Sequence, residues 1–278
     1  MRVTAVGDCG VDRYLDLKAD RPGGISLNFA VNACHLFPAD ATVGVITALG
    51  GDPEADFVRA AIADLGIEAY LADAKGATSI QYIDREPSGE KIFVNYEAGV
   101  LANYEVGAEE RAIIAESDVL IATVYAGILP FFASVMATPS SGLRAVDFGA
   151  LVHLDDPVGL VDDHAGQFDV GFFGLDGEQE DLVNSLEAIA LRHKRLFIVT
   201  LGEHGSLAIG GDQRLWCPAT SVDEVVDTTG AGDTFAAGFL SAYHDSRNVA
   251  LSLRKGADAA AETVARVGAF EADMTPWA

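Results

Sequence analysis

From Val106 to the C-terminus, stretches with helical spacing alternate with short apolar runs of strand length, and this alternation constrains the fold more than any other feature of the chain. Helices are predicted near Glu109 to Ala115, Leu129 to Met136, Glu178 to His193, Thr234 to His244 and Val249 to Val267. Strands are predicted at Val119 to Val124, Ala145 to Phe148, Val170 to Phe173 and Leu196 to Leu201, with a late hairpin, Ser206 to Ile209 and Arg214 to Cys217, around Gly210-Gly211. Strands that alternate with helices form a parallel sheet covered on both faces, because each crossover lays a helix on the sheet. The N-terminal part starts in the same style. Arg2 to Gly7 reads as a buried strand, Asp8 to Leu17 as a short exposed ribbon, and Ser26 to Ala33 as a helix after the Pro22-Gly23-Gly24 turn. Ala41 to Leu49 reads as a strand, and Asp52 or Pro53 to Leu65 as a helix. Three β-rich runs then follow with no helix between them: Ile67 to Asp73, Ser79 to Asp84 and Ile92 to Tyr96, with turns at Lys75-Gly76 and Pro87-Ser88-Gly89. With the ribbon, they make a small β flap on an α/β body.

Composition narrows the class. The chain has 278 residues, 50% of them hydrophobic and 22% charged, which suits one large core with a small appendage and not a disordered chain. No apolar run is long enough to span a bilayer, and Met1 to Gly7 lacks the apolar stretch and cleavage site of a secretory leader. Cys9, Cys34 and Cys217 are scattered and odd in number, so neither a disulfide framework nor a zinc site is expected, and the expected location is cytoplasmic. A net charge of -24 repels nucleic acid and anionic membranes, so no partner of either kind is expected. Any anion site in such a field must be local, built from backbone amides or a metal ion.

The stretch from Val222 to Phe239 offers one. Its acidic, valine-flanked start reads as a strand, Thr228-Thr229-Gly230-Ala231-Gly232 as a turn of small residues, and Asp233 onward as an apolar helix. Small residues let the backbone approach a ligand, and successive amides at a helix start attract an anion. Asp233 suits the helix dipole but competes with a bound phosphate, unless it accepts the proton of an attacking hydroxyl. A plain helix-start charge after a glycine turn is the competing explanation. Other signatures are missing. There is no G-x-x-x-x-G-K-[ST], and the turn Gly7-Asp8-Cys9-Gly10 after the first strand is not G-x-G-x-x-G. Ser140-Ser141-Gly142 lacks the setting of a nucleophile elbow, and the 6 histidines show no metal-binding spacing.

Asp227 to Phe235, read as D-T-T-G-A-G-D-T-F, resembles the C-terminal signature of the PfkB (ribokinase-like) carbohydrate kinases. Gly23-Gly24-x-x-x-Asn28-x-Ala30 resembles their N-terminal glycine signature. The resemblance implies an α/β, ribokinase-like three-layer sandwich with a mostly parallel central sheet and a small β-sheet lid. It implies one domain over residues 1–278, with lid strands from about 12–20 and 67–100. It also implies ATP-dependent phosphoryl transfer to a sugar hydroxyl. Asp233 is then the catalytic base, with the amides of Gly230, Ala231 and Gly232 facing the transferred group. Asp12, Gly23, Gly24 and Asn28 are the implied sugar-binding residues. Thr200, Gly202 and Gly205 line the nucleotide side together with Thr228, Gly230 and Gly232. A strand-end turn accounts for Gly202 and Gly205 nearly as well, and a solvated ribbon charge is the alternative for Asp12.

The metal is where this chain departs from the pattern. Many relatives carry N-x-x-E after the strand that ends near Phe173; here the residues are Gly174-Leu175-Asp176-Gly177-Glu178. Glu178 is the first candidate for a Mg²⁺ role, and a solvated acidic helix start is the alternative. Asp227 and the Thr229 carbonyl match positions where some relatives hold a monovalent cation, which makes K⁺ a further candidate. Lys91 to Val100 resembles the lid of fructoselysine 6-kinase-type members, as does the region around Asn28, and members of that type tend to lack the same asparagine. The implied acceptor is the primary hydroxyl of a ketose or a fructosamine. A ribokinase, a 2-keto-3-deoxygluconate kinase, a nucleoside kinase or an inactive sugar- or nucleotide-binding regulator remain as alternatives. The resemblance also implies a homodimer through the lid, since a small sheet leaves edges uncovered.

Overall fold

The computed structural model describes residues 1–86, 91–151, 154–175, 179–211, 213–272 and 274–277. The turn expected at Pro87-Ser88-Gly89, His153 and the candidate ligand Glu178 lie outside the described residues. Along the chain the strands are β1 (Arg2–Val6), β2 (Gly10–Tyr14), β3 (Ala19–Gly23), β4 (Thr42–Leu49), β5 (Glu68–Asp73), β6 (Ile80–Arg85) and β7 (Lys91–Glu97). They continue as β8 (Val119–Thr123), β9 (Leu143–Asp147), β10 (Val170–Gly174), β11 (Leu196–Thr200), β12 (Ser206–Gly210), β13 (Gln213–Cys217) and β14 (Thr275–Pro276). The α-helices are α1 (Ile25–Leu36), α2 (Pro53–Ala63), α3 (Ala108–Glu116), α4 (Leu129–Met136), α5 (Pro157–His164), α6 (Glu180–His193), α7 (Ala231–Ser246) and α8 (Val249–Val264).

A 9-stranded sheet runs in the order β13-β12-β11-β10-β9-β8-β1-β4-β5. From β5 to β11 every pairing is parallel, and β12 and β13 close the edge as an antiparallel hairpin. Alternate residues of β8 show why the sheet is covered twice. Val119 and Ile121 enter a core shared with Leu27, Phe235, Phe239 and Leu253 of α1, α7 and α8. Leu120 and Ala122 enter a second core with Phe131, Val161 and Leu186 of α4, α5 and α6. The period of two along a strand thus feeds two cores, and the result is three layers. In the second core Phe148 stacks on Phe173 with ring centroids 4.9 Å apart.

The order of strands reverses at β1, which has β4 on one side and β8 on the other. Loops leaving β1 and β8 at their C-terminal ends therefore diverge and open a crevice, where ligands of open α/β sheets bind. The smaller sheet, ordered β14-β3-β2-β6-β7, grows from the loop after β1.

The structure departs from the sequence expectations at four places. The Ile67 to Asp73 run is β5 and pairs with β4 in the large sheet, because α2 carries the chain back over that sheet to its edge. The segment after β1 is no exposed ribbon: β2 lies between β3 and β6, and Val11, Asp12 and Tyr14 are buried. The acidic start of the Val222 stretch is a loop, its backbone satisfied by Val226 and Asp227 amides donating to the Val264 carbonyl at the end of α8. Helix α5 was not expected, although Asp156-Pro157 carries its start signal: the Asp156 side chain accepts from the Gly159 amide at 2.9 Å.

One buried contact ties the smaller sheet to the loop that precedes α7. The Tyr14 hydroxyl, on β2, donates to Asp227 Oδ2 at 2.9 Å, and both residues have zero exposure. Tyr14→Phe should lower the unfolding free energy by about 1.5–3 kcal/mol, the range for a buried hydrogen bond to a charged group. Urea denaturation checks it, and an unchanged midpoint would show that the bond contributes nothing.

Candidate active site

Helix α7 begins behind Gly230, whose φ of +76° is left-handed. A Cβ there would fall 2.1 Å from the Cβ of Ala269, so glycine is required on both counts. No side chain caps the helix, and a Cβ placed on Gly232 would meet nothing within 4 Å. The Ala231 amide donates to the Thr228 carbonyl at 3.3 Å, which leaves the amides of Gly232 and Asp233 on the first turn for an anion such as a phosphoryl group. Asp233 sits on this turn, 8% exposed, and accepts from Asn28 Nδ2 at 2.8 Å. Asn28 belongs to α1. Its backbone carbonyl takes a 2.8 Å bond from Asn32 Nδ2, which also donates to the Ala269 carbonyl at 3.2 Å. One loop, around Ala269, therefore buttresses both Gly230 and the helix that presents Asn28.

Asp12 reaches the same place from β2. A Cβ on Gly23, in the adjacent strand β3, would fall 2.2 Å from the Asp12 carboxyl carbon, so Gly23 exists to let that carboxylate lie flat against the backbone. Gly24 does the same for Asp8, which accepts from the Ile25 amide at 3.3 Å. Asp12, Gly23, Gly24, Asn28 and Asp233 are thus brought together. Asp227 lies just behind them, fully buried, with Oδ1 accepting from the Thr229 amide at 2.9 Å and Oδ2 from the Gly268 amide at 2.8 Å as well as from Tyr14. Thr200 ends β11 and donates to the Phe173 carbonyl at 3.3 Å, and Gly202 opens the short turn that follows. Gly205 packs on the end of β13, where a Cβ would lie 2.3 Å from the Cys217 carbonyl oxygen. These three stand at the strand-end edge that also carries Asp147, and no hydrogen bond joins them to Gly230–Asp233 among the described residues.

Three charged residues complete the site that sequence reasoning did not single out. Asp8 follows β1 and Asp147 ends β9, where its Oδ1 accepts from the Gly149 amide at 2.8 Å. Lone carboxylates have no spacing signal; only their place after an apolar strand could have flagged them. Lys91 opens β7 of the lid, and its ammonium donates to the Thr228 carbonyl at 3.3 Å while its amide donates to Thr228 Oγ1 at 3.2 Å. The lid thereby rests on the turn that carries Gly230.

Burial sets the electrostatics. It pushes the Asp12 carboxyl up to about 8, helped by the charges of Asp8, Asp233 and Asp227 and opposed by Lys91. Asp233 rises to about 7 through burial and then Asp147, against the Asn28 hydrogen bond and Lys91. Asp8 and Asp147 are raised too, first by burial. A carboxylate near neutrality in an enclosed site, next to an anion-binding helix start, is equipped to take a proton from a hydroxyl. No group of three or more His, Cys, Asp or Glu side chains among the described residues is arranged to hold a metal ion, and no helix among them is long and apolar enough to cross a membrane.

A parallel sheet between two helical layers, with a second sheet over its strand-end crevice and a glycine-led helix start at its centre, is the ribokinase-like fold of a carbohydrate kinase. The family model described as pfkB family carbohydrate kinase matches residues 19–131 and 170–276, and the chain belongs to this family. Fructoselysine 6-kinase of Escherichia coli (strain K12) is 30% identical over 268 residues, covering 96% of this chain and 99% of that protein. Fructosamine kinase FrlD of Bacillus subtilis (strain 168) is 28% identical over 275 residues, covering 97% and 93%. A probable sugar kinase from Rhizobium etli CFN 42 superposes with a TM-score of 0.79 at 20% identity, over 96% of this chain and 94% of that one. Kinases of this family bind a sugar and ATP, generally with Mg²⁺.

Gly23→Ala tests the crowding at Asp12. The new methyl must displace the Asp12 carboxyl, so acceptor KM should rise at least tenfold while ATP KM moves less than twofold. Initial rates with each substrate varied in turn check this; equal effects on both would place the damage elsewhere.

Proposed function

We propose that this kinase transfers the γ-phosphoryl group of ATP to a primary hydroxyl of a fructosamine, a ketose carrying an amine, with Asp233 as the base. The observation that carries the proposal is the buried Asp233 carboxylate, fixed by Asn28 at 2.8 Å on the uncapped first turn of α7. Proton acceptance and phosphoryl binding then fall on one helix turn. The acceptor class is supported by full-length similarity to a fructoselysine 6-kinase and a fructosamine kinase, and by a pocket rich in carboxylates.

In this reading ATP supplies the γ-phosphoryl group, and the amides of Gly232 and Asp233 with the open space beside Gly232 would hold it. Asp12 and the free side of Asn28 orient the acceptor, since a carboxylate and an amide oxygen both accept from sugar hydroxyls. The acceptor oxygen gains its bond to phosphorus as its proton passes to Asp233 and the bridging bond to ADP breaks. Lys91 sets a positive charge against the turn at Thr228, where negative charge gathers during transfer. Nearness and orientation matter more than base strength here, because the hydroxyl loses its proton only as the new bond forms.

The outer strand of the lid, β7, exposes Ile92, Phe93 and Val94 at 44%, 44% and 53% along an edge of the smaller sheet. Two such edges brought together would cover these side chains, so a homodimer through the lid belongs to the same proposal. Light scattering that gives a monomer mass up to high micromolar concentration would remove it.

Asp233→Asn should lower kcat by about a thousandfold or more with ATP affinity within a few-fold, measured by isothermal calorimetry. Since Asp233 must be ionised and its pKa is raised to about 7, activity is full above that pH and is lost as pH falls through it. The kcat/KM profile for the acceptor should accordingly drop about tenfold per pH unit below pH ~7. A flat profile down to pH 5 would exclude Asp233 as the base. A panel of fructoselysine, fructose, ribose and 2-keto-3-deoxygluconate, followed by ³¹P NMR of the products, tests the acceptor; preference for ribose or 2-keto-3-deoxygluconate would overturn the fructosamine assignment.

A further inference from the structure

Asp8 has no part in proton transfer as described above, yet it is placed like a ligand group. It stands at the point where the strand order reverses, on the loop from β1, facing Tyr125 on the loop from β8. Its Oδ2 takes the Ile25 amide at 3.3 Å, and its Oδ1 has no hydrogen-bond partner in the protein although the residue is only 5% exposed. The Tyr125 phenol lies beside it, close enough to lower its pKa but short of full hydrogen-bond geometry. Asn28 Oδ1 is likewise buried and unpartnered, in a residue 4% exposed. A buried acceptor left open is costly unless a ligand fills it.

The charge around Asp8 is lopsided. Asp8, Asp12, Asp147 and Asp233 are all buried and feel one another's charge. Lys91 lowers the pKa of the other three, whereas the strongest influences on Asp8 are its burial and neighbouring hydrogen-bond donors. A neutral sugar brings hydroxyl donors but no counter-charge. An ammonium brings both, and its hydrogen bond to a carboxylate is the stronger kind. The walls suit such a group as well. Tyr96 of the lid meets Tyr125 edge-to-face at 4.7 Å, and the Tyr96 hydroxyl is buried without a partner. Aromatic rings and phenol oxygens beside an open carboxylate are a setting that favours a cation.

We propose that Asp8 selects the acceptor by its charge, its open carboxylate oxygen receiving an N–H of the substrate's ammonium beside the Tyr96–Tyr125 pair, while Asp12 and Asn28 hold hydroxyls. The proposal rests on the fructosamine reading and adds the residue that enforces it. Asp8 is a binding residue here, distinct from the base, and it works across the seam between lid and body because Tyr96 comes from β7 and Tyr125 from the loop after β8.

The test uses two acceptors that differ at one group, 1-amino-1-deoxyfructose and fructose, and measures kcat/KM for each. The native enzyme should prefer the amine at least a hundredfold. Asp8→Asn keeps the shape and removes the charge, and should cut that ratio at least tenfold. A merely structural role would lower both constants alike, so a ratio that stays within threefold overturns the Asp8 assignment and leaves the fructosamine reading standing. If the native enzyme prefers fructose, the fructosamine reading fails and this proposal with it. Should Asp8→Asn not fold, the native enzyme is assayed with 1-acetamido-1-deoxyfructose, which keeps an N–H but carries no charge. A loss of tenfold or more relative to the amine supports recognition of charge, and equal turnover overturns it.

Discussion

The carboxylate of Asp227 holds the site in register. It has no exposure, and it takes hydrogen bonds from the Thr229 amide, the Gly268 amide and the Tyr14 hydroxyl. Those donors lie on the glycine turn, on the segment after α8 and on the root of the smaller sheet. A buried charge is tolerated only when its lone pairs are satisfied, so the three segments are drawn to one point by the cost of leaving any of them away. From that point the rest follows. The turn is held where Gly230 meets Ala269, Ala269 accepts from Asn32, and Asn32 sets the carbonyl of Asn28, whose amide holds Asp233. A side chain that touches no substrate in this account thus positions the one proposed to take the proton.

The second sheet is more than a cover. Its strand β2 delivers Asp12, β3 delivers Gly23 and leads into Gly24, and β7 delivers Lys91 and Tyr96. The Lys91 contacts to Thr228 join the lid directly to the phosphoryl-binding turn. A displacement of β7 would therefore change the charge around Asp233, since Lys91 is among the groups that hold the carboxyl down against its burial.

Much of this was legible in the chain. Helix α4 falls where its apolar spacing places it, and the alternating body follows from runs such as Val119 to Thr123. Glycine carries geometry without context, so the Gly230-Ala231-Gly232 turn could be read, whereas Pro22 and Gly23, expected in a turn, end strand β3. Partners brought from far along the chain could not. Strand β2 looks solvent-exposed because Asp12, Arg13 and Asp16 are polar, yet Arg13 is paired with Asp20 at 2.7 Å and Asp12 faces the crevice. The run at Ile67 resembles a lid strand until α2 carries it to β4. Asp8 and Asp147 gave no signal because a single acid at the end of a strand looks like any turn residue.

The buried carboxyls also make folding a proton-binding reaction. In the unfolded chain an aspartate titrates near pH ~3.9. In the folded one Asp12 is raised to about 8 and Asp233 to about 7, so near neutrality the native state carries protons that the unfolded chain has shed. Stability from these groups is full below the unfolded value and drains away as pH climbs through the folded values. The formal net charge of -24 acts in the same direction, because deprotonation adds to self-repulsion. A positively charged guest entering the crevice returns the carboxyls to their ionised form and expels protons into solution, so the heat of its binding depends on which buffer receives them.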